Sequence, residues 1–334
     1  MDKHIRLEHG SGGVLSRELV EQIIYPALKN AAYPALKDGT DVSCSPSMCM
    51  TTDTYVVDPI FFPGGDIGKL AVFGTCNDLA VSGARPQYIS LGFIIEEGFP
   101  VADLSRVLSS IAEAAGEAGV AVVTGDTKVV GAGKGGGIYI NSAGIGEKCF
   151  SGDLDPAGLH IGDAVVLSGP VGAHGITVLG AREGLPVGKS LVSDCANLFP
   201  LCNELFPFGA SLKFLRDATR GGVAAVLNEI VAGLSVGILI RESDIPVSPD
   251  VEAAADILGL NALEVANEGV FVAVVSGDAA DSAISKLAGH PAGKEASVIG
   301  TIVADPAGKV FLETRIGGKR MIDLPRGLLL PRIC

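Results

Sequence analysis

The chain has 334 residues, 48% of them hydrophobic, with a mean hydropathy of +0.42, so it can fill two cores of ordinary domain size. A formal charge of −13 argues against a nucleic-acid surface, which needs a basic patch. The apolar residues come in short runs broken by glycine, none reaching the roughly 18 residues of a membrane span. The start, Met1 to His9, lacks the apolar core of a secretory signal, so a cytoplasmic protein is expected. Seven cysteines (44, 49, 76, 149, 195, 202 and 334) contain no C-x-x-C pair and read as reduced; Cys44/Cys49 and Cys195/Cys202 leave pairing or metal binding open. Forty-five glycines with no tryptophan imply many tight turns and close backbone approaches.

In chain order, His9-Gly-Ser-Gly-Gly13 precedes a predicted helix over 14–28, and 30–46 reads as a loop. Met48–Val57 is strand-like, rich in β-branched residues. Gly64-Gly-Asp-Ile-Gly68 leads into a helix-period stretch over 69–82, stopped by Gly83 and Pro86. A strand over 87–95, an amphipathic helix over 101–118 and strands over 121–130 and 138–146 follow. This βαβαββ order predicts an α+β or α/β domain with a mixed sheet. The pattern restarts near 153–162. Beyond it the spacing predicts a strand over 163–168 and helices near 173–183 and 193–206. A helix over 222–232, a strand over 236–241, a helix over 250–258 and a strand over 270–275 come next. A helix over 279–288 and strands over 296–303 and 309–314 complete the second half. The division expected is 1–155, 156–322 and a tail over 323–334.

The tail, Pro325 to Cys334, fits neither strand nor helix. Its prolines favour extended geometry. Its three leucines and one isoleucine argue against a purely solvated end. A frayed terminus and a mobile functional thiol are the two readings, and a prenylation box is excluded because Cys334 is the last residue.

Several residues are candidates for chemistry. Asp53, Asp78 and Asp126 each sit beside glycine or small polar residues. Converging carboxylates need a cation between them, and hard oxygen ligands suit Mg²⁺; taken singly, each is a cap or turn former. The glycine loops at 9–13, 64–68 and 131–137 can each wrap a polyphosphate with backbone N–H groups, though none matches a Walker A or Rossmann spacing. Asp217-Ala-Thr-Arg-Gly-Gly222 opens a helix with a diglycine, an anion-binding arrangement to which Arg220 adds a donor. Glu268, in Asn267-Glu-Gly269, is a candidate base or a loop carboxylate. Lys128 shares a strand face with Asp126 and is either a functional cation or its ion-pair partner.

Asp58-Pro, Gly68, Ala71, Asn77-Asp-Leu79, Gly83-Ala, Pro86, Gly125-Asp-Thr127 and Asp217–Gly222 together resemble the ATP-binding superfamily of aminoimidazole ribonucleotide synthetase and selenophosphate synthetase. His9–Gly13 and the terminal Pro-Arg-Ile-Cys are similar to those of its hydrogenase maturation branch. That resemblance implies an α+β, two-domain synthetase-like fold, whose N-terminal domain forms a β-barrel on making a homodimer, and a mobile tail. It implies ATP and Mg²⁺ as cofactors. His9, Gly10, Gly12, Gly13, Asp66, Lys69, Asn77, Thr127, Arg220, Gly221 and Gly222 would bind nucleotide, and Asp53, Asp78 and Asp126 the metal. The implied reaction is ATP-dependent dehydration of a carbamoyl group on Cys334 to a thiocyanate, a cyanide source for [NiFe]-hydrogenase. Glu268 would be the base, Lys128 would orient the carboxamide or offset phosphate charge, and Asp78 would alternatively contact the substrate amide. A carbamoyltransferase, HypF, would load the thiol and a HypC–HypD complex would accept the cyanide. The N-terminal loop carries Ser11 where selenide chemistry uses a cysteine or selenocysteine. The rivals are a thiamine-monophosphate-kinase-like phosphotransferase and a nucleotide-sensing scaffold with a docking tail; neither needs Cys334.

Overall fold

The computed structural model describes residues 3–10, 14–32, 42–185 and 190–324; Ser11, Gly12, Gly13 and the tail from Pro325 to Cys334 lie outside them. Helix α1 (Val14–Leu19) passes through a π-turn at Val20–Ile24 into α2 (Tyr25–Leu28) as one helical stretch. The first sheet is built from β1 (Met48–Tyr55), β4 (Ala84–Glu96), β5 (Ala121–Val130) and β6 (Ile138–Lys148) in the order β1-β6-β4-β5. A small hairpin of β2 (Phe61–Phe62) and β3 (Gly65–Asp66) precedes α3 (Ile67–Val81), and α4 (Val101–Ala118) lies between β4 and β5. Only β4–β5 is parallel, so the sheet is mixed as expected.

Helix α4 is amphipathic because Leu104, Val107, Leu108, Ile111, Ala114 and Ala115 recur at helical spacing, and all are buried. Gly119 ends it at φ 68°, a left-handed stop. Helix α3 is buried almost all round, since it lies against the sheet on one side and the second domain on the other. It packs closely on α4 at Gly68, where a β-carbon would lie 2.6 Å from the Val107 carbonyl. Asp66 caps α3 by accepting from the N–H groups of Gly68 (2.8 Å) and Lys69 (3.0 Å). Asp66→Ala is therefore expected to cost about 1–2 kcal/mol in denaturant unfolding at unchanged m-value, whereas Asp66→Asn keeps most of the cap. The face of the sheet away from these helices is exposed at Met50, Asn141 and Ile94.

The second domain contains β7 (Ala164–Leu167), α5 (Ala173–Glu183), α6 (Phe199–Leu205), β8 (Leu212–Asp217), α7 (Gly222–Val231), β9 (Gly237–Arg241), α8 (Pro249–Leu258), β10 (Phe271–Val275), α9 (Ala280–Ala288), β11 (Ser297–Val303), β12 (Val310–Glu313) and β13 (Lys319–Ile322). Its strands form one sheet in the order β13-β12-β9-β11-β7-β10-β8. The two faces of that sheet bury separate cores. Val165, Leu167, Val272 and Val274 pack under α7, while Val166, Phe271 and Val275 pack under α6 and α9. Strands β7 and β10 are buried at every position, which explains their unbroken apolar runs.

One expected helix is shortened, and two strands stand where none is expected. The helix predicted over 193–206 starts only at Phe199; residues 190–198 run without regular structure, tied down by side-chain hydrogen bonds. Leu212–Asp217 is a strand, and so is Lys319–Ile322. Both are short edge strands: β8 pairs with the distant β10, while β13 folds back on its neighbour β12 in a hairpin and carries the polar run Lys319-Arg320 with little β-strand pattern. Within the single chain the N-terminal sheet is four-stranded and open.

Candidate active site

Where the domains meet, β1, α3, β8, the β8–α7 turn and the 267–269 loop enclose a cavity of about 220 Å³. Asp53 enters it from β1, Asp78 from α3, Arg216 and Asp217 from the end of β8, Thr219 and Arg220 from the turn, and Glu268 from the loop. Alternation along β1 turns Thr51, Asp53 and Tyr55 toward α3. Thr51 donates its hydroxyl to Asp78 (2.9 Å), and Tyr55 bonds Thr75 (3.2 Å). Strand β8 can deliver Asp217 here because Phe271, which follows Glu268 by three residues, pairs with Asp217 in the sheet. Gly221 and Gly222 take φ of 76° and 59°. At Gly222 a β-carbon would meet the Leu263 and Val265 carbonyls at 2.5 Å, so only glycine lets α7 begin there.

The cavity is acidic, and Asp78, Asp217 and Glu268 are held toward the protonated form. Burial, then repulsion from Asp78, pushes Asp217 up to about 7. Glu268 is pushed well above the usual range by burial, then by Asp217 and Asp194. Asp78 is raised by burial, a rise its Thr51 bond and Arg216 and Arg220 oppose. A carboxyl raised on folding binds more protons folded than unfolded, so its favourable contribution is complete below the unfolded value and disappears as pH climbs through the folded one. The protein without ligands is therefore expected to melt progressively lower between pH 4 and 7.5, with Asp217→Asn flattening that slope; calorimetry across the range checks it.

The donor set fits a hard divalent cation: carboxylate oxygens from three segments, crowded together and mutually repelling. Among the described residues no three acidic, histidine or cysteine side chains close into a complete cage. Mg²⁺ does not demand one, since it keeps several waters and takes one or two carboxylates with substrate phosphates.

The structure thus brings together Asp53, Asp78, Arg220 and Glu268 of the expected residues, and adds Asp217 and Arg216. Asp126 is elsewhere. It pairs across to Gly92, that to Asn141, and that to Thr54, which sets it three strand spacings, about 14 Å, from β1. There it forms an exposed ion pair with Lys128 (2.9 Å), which holds its carboxyl below the usual range. Thr127 lies between them. His9 and Gly10 also lie at this edge: a β-carbon on Gly10 would touch Val129 at 2.7 Å, and buried His9 accepts from the Arg6 N–H. Lys69 reaches the Gly64 carbonyl (3.3 Å) and lies over the Phe73 ring. Asn77 is buried and spends its amide on Ala196, Leu198 and Glu268. The Gly222 N–H is taken by the Thr219 carbonyl. Asp217 stands in the Asp217–Gly222 motif, but the strand before it breaks alternation at Phe214-Leu215, both buried, so only the apolar Phe214-Leu215 pair hints at it.

An acidic cavity at the domain junction, beside a glycine turn that opens a helix, is a place where anionic groups and a divalent cation can be held together. Residues 37–147 match the AIR synthase related protein N-terminal domain, and residues 160–313 the corresponding C-terminal domain. The carbamoyl dehydratase HypE of Rhizobium leguminosarum bv. viciae is 47% identical over 99% of this chain and 95% of its own length. A crystal structure of the hydrogenase maturation protein HypE in complex with ATP superposes with a TM-score of 0.92, at 40% identity, over 98% of this chain and 99% of that one. A chain of a HypE–HypF complex superposes with a TM-score of 0.81, at 42% identity, over 94% and 100%. The chain belongs to the HypE family of AIR synthase related proteins.

Proposed function

We propose that this chain is a carbamoyl dehydratase that uses ATP to turn an S-carbamoyl group on its own Cys334 into a thiocyanate, supplying cyanide for the iron of [NiFe]-hydrogenase. The observation that carries this reading is the acidic interdomain cavity and its distance from the root of the tail. Asn228 Nδ2 donates to the Ile322 carbonyl (3.1 Å), fixing the last strand beside α7. Six residues of helix, about 9 Å, separate Asn228 from the helix N-terminus at the cavity. Residues 323–334 span up to roughly 40 Å when extended, ample to carry Cys334 there.

In the reaction the carbamoyl oxygen takes the γ-phosphoryl group of ATP, both N–H protons leave, and the C–O bond breaks. Cys334 is left as the thiocyanate beside ADP and phosphate. One or two of Asp53, Asp78 and Asp217 would hold Mg²⁺, which when bound neutralises phosphate charge. Arg220 and the positive end of α7 favour the anionic phosphates. Glu268 stands in the cavity with no hydrogen-bond donor on its carboxylate among the described residues, so it is free to take an N–H proton. Neutralising the surrounding acids also releases Glu268 from the protonated state that their repulsion favours, which ties base strength to cofactor arrival.

A homodimer completes this reading. Two four-stranded sheets facing each other supply eight strands, enough for a small closed barrel, and bury the exposed Met50 and Ile94. Closure of the β5 edge of one copy against the β1 edge of the other would set Asp126, Thr127 and Lys128, with His9 and Gly10, beside the partner copy's cavity. A HypF-type carbamoyltransferase is the proposed donor, supported by the related chain found with HypF; a HypC–HypD complex is the proposed acceptor, in the cytoplasm. The test is intact-mass measurement after incubation with the carbamoyltransferase, carbamoyl phosphate and ATP, then with ATP and Mg²⁺. A carbamoyl adduct on Cys334 that then loses one water is expected; a tail that stays unmodified overturns the reading.

A further inference from the structure

The strap over residues 190–198 is held by both domains. From the first, Pro63 accepts from the Ser193 N–H (2.9 Å), and Asn77 accepts from the Leu198 N–H (2.8 Å) while donating to the Ala196 carbonyl (3.0 Å). From the second, buried His174 Nδ1 meets the Ser193 hydroxyl (2.8 Å), which also accepts from the Cys195 N–H (3.1 Å).

Against this strap lies the peptide that carries Glu268. The Glu268 N–H reaches both oxygens of the Asp194 carboxylate (3.2 and 3.3 Å), and the Gly269 N–H reaches Oδ2 (3.2 Å). On the other side of the same residue, the Glu268 carbonyl accepts from Asn77 Nδ2 (3.2 Å). The fit leaves no slack: a β-carbon at Gly269 would lie 1.8 Å from the Asp194 carbonyl oxygen. Residue 267 is pinned as well, its side chain bonding Gly172 (2.7 Å) and Ala218 (2.8 Å). So the backbone around Glu268 is gripped from both sides while its side chain stands free in the cavity. Burial lifts the Asp194 carboxyl to about 6 even with these backbone donors pulling it down, and a charged acceptor binds N–H groups about twice as strongly as a neutral one.

We propose that Asp194 is a positioning residue for the reaction: its carboxylate fixes the Glu268–Gly269 peptide to a strap shared by both domains and so sets where the Glu268 side chain enters the cavity. The proposal rests on Glu268 acting as the base. Asn77, on α3 next to Asp78, ties the same peptide to the helix that carries a proposed metal ligand, so the two halves of the site are kept in register through one residue.

The test uses the full-length chain, carbamoylated on Cys334, with single-turnover loss of water followed by intact mass at saturating ATP and Mg²⁺. Asp194→Asn should slow dehydration by about 10- to 100-fold, the effect of displacing a reacting group by about an ångström. ATP affinity should stay within about twofold, since the loss falls on the chemical step. In the double variant with Glu268→Gln, the rate should match Glu268→Gln alone, because a residue acting only through Glu268 adds nothing once that carboxylate is gone. Multiplying losses, or full rate in Asp194→Asn, overturn the clasp. Full rate in Glu268→Gln is a different result, and it overturns the base assignment together with the proposal built on it. Should Asp194→Asn fail to fold, Asn77→Ser frees the same peptide from its carbonyl side. It must show the same slowing and the same masking by Glu268→Gln, or the proposal falls.

Discussion

A Cys334→Ala chain is expected to bind ATP as tightly as the natural chain and to yield no dehydrated product at all. In the proposed reaction the thiol carries the substrate through every step, so its loss removes the substrate and leaves the nucleotide site untouched. No other thiol takes its place. Burial pushes Cys76 up to about 12 and Cys195 and Cys202 well above the usual thiol value, so none of them presents a thiolate nucleophile. Cys149 is raised as well. Cys49 is held within β1 and Cys44 lies a few residues before it. The measurement is ATP affinity by equilibrium binding beside intact mass after the complete reaction. Dehydration in the variant would mean that Cys334 is not the carrier. Retained ATP turnover coupled to another acceptor would favour a photransferase of the wider fold class instead.

Glu268→Gln is expected to lower the single-turnover dehydration rate by about 10²- to 10⁴-fold, the usual share of a positioned base. Carbamoylated chain should accumulate, because loading is done by another enzyme. ATP affinity should be unchanged or tighter, since one negative charge leaves a cavity that must accept a triphosphate. Stability should move the other way from activity. Burial and the nearby acids hold the Glu268 carboxyl well above its ordinary value, so a neutral amide relieves repulsion that the natural chain endures above neutral pH. The variant should melt higher at pH 8 and nearly equal to the natural chain at pH 4. A group kept at the expense of stability is the mark of a functional residue. Normal dehydration would remove Glu268 from the base role; a lower melting point at pH 8 would remove the electrostatic account of its surroundings.

Much of this was legible before any coordinates. The α4 helix over 101–118 and the β5 strand over 121–130 were read to the residue, because one has an amphipathic period with a glycine stop and the other a β-branched run ending at a glycine cluster. The site was read in part. Asp53, Asp78, Arg220 and Glu268 do share a cavity, although they come from four segments far apart in the chain. Asp126 shares their local context, a carboxylate beside small residues, yet lies at the far edge of the sheet. Nothing in a window around it distinguishes the two edges, since strand order is decided by long-range pairing. Asp217 was visible in its motif without a role, because its strand, Leu212–Asp217, is an edge strand defined by pairing with the distant β10.

The amino-acid sequence by itself determined the two-domain division of secondary structure, the glycine turn that opens α7 and the terminal thiol, since each is written in local pattern or in the identity of single residues. Only the tertiary structure decided which carboxylates meet and what holds Glu268 in place. The physical reason is that side-chain position at the domain junction depends on sheet order and on a strap whose hydrogen bonds run from Asp194 to residues 74 and 75 positions away. Those contacts have no period and no composition, and they exist only once both cores have formed.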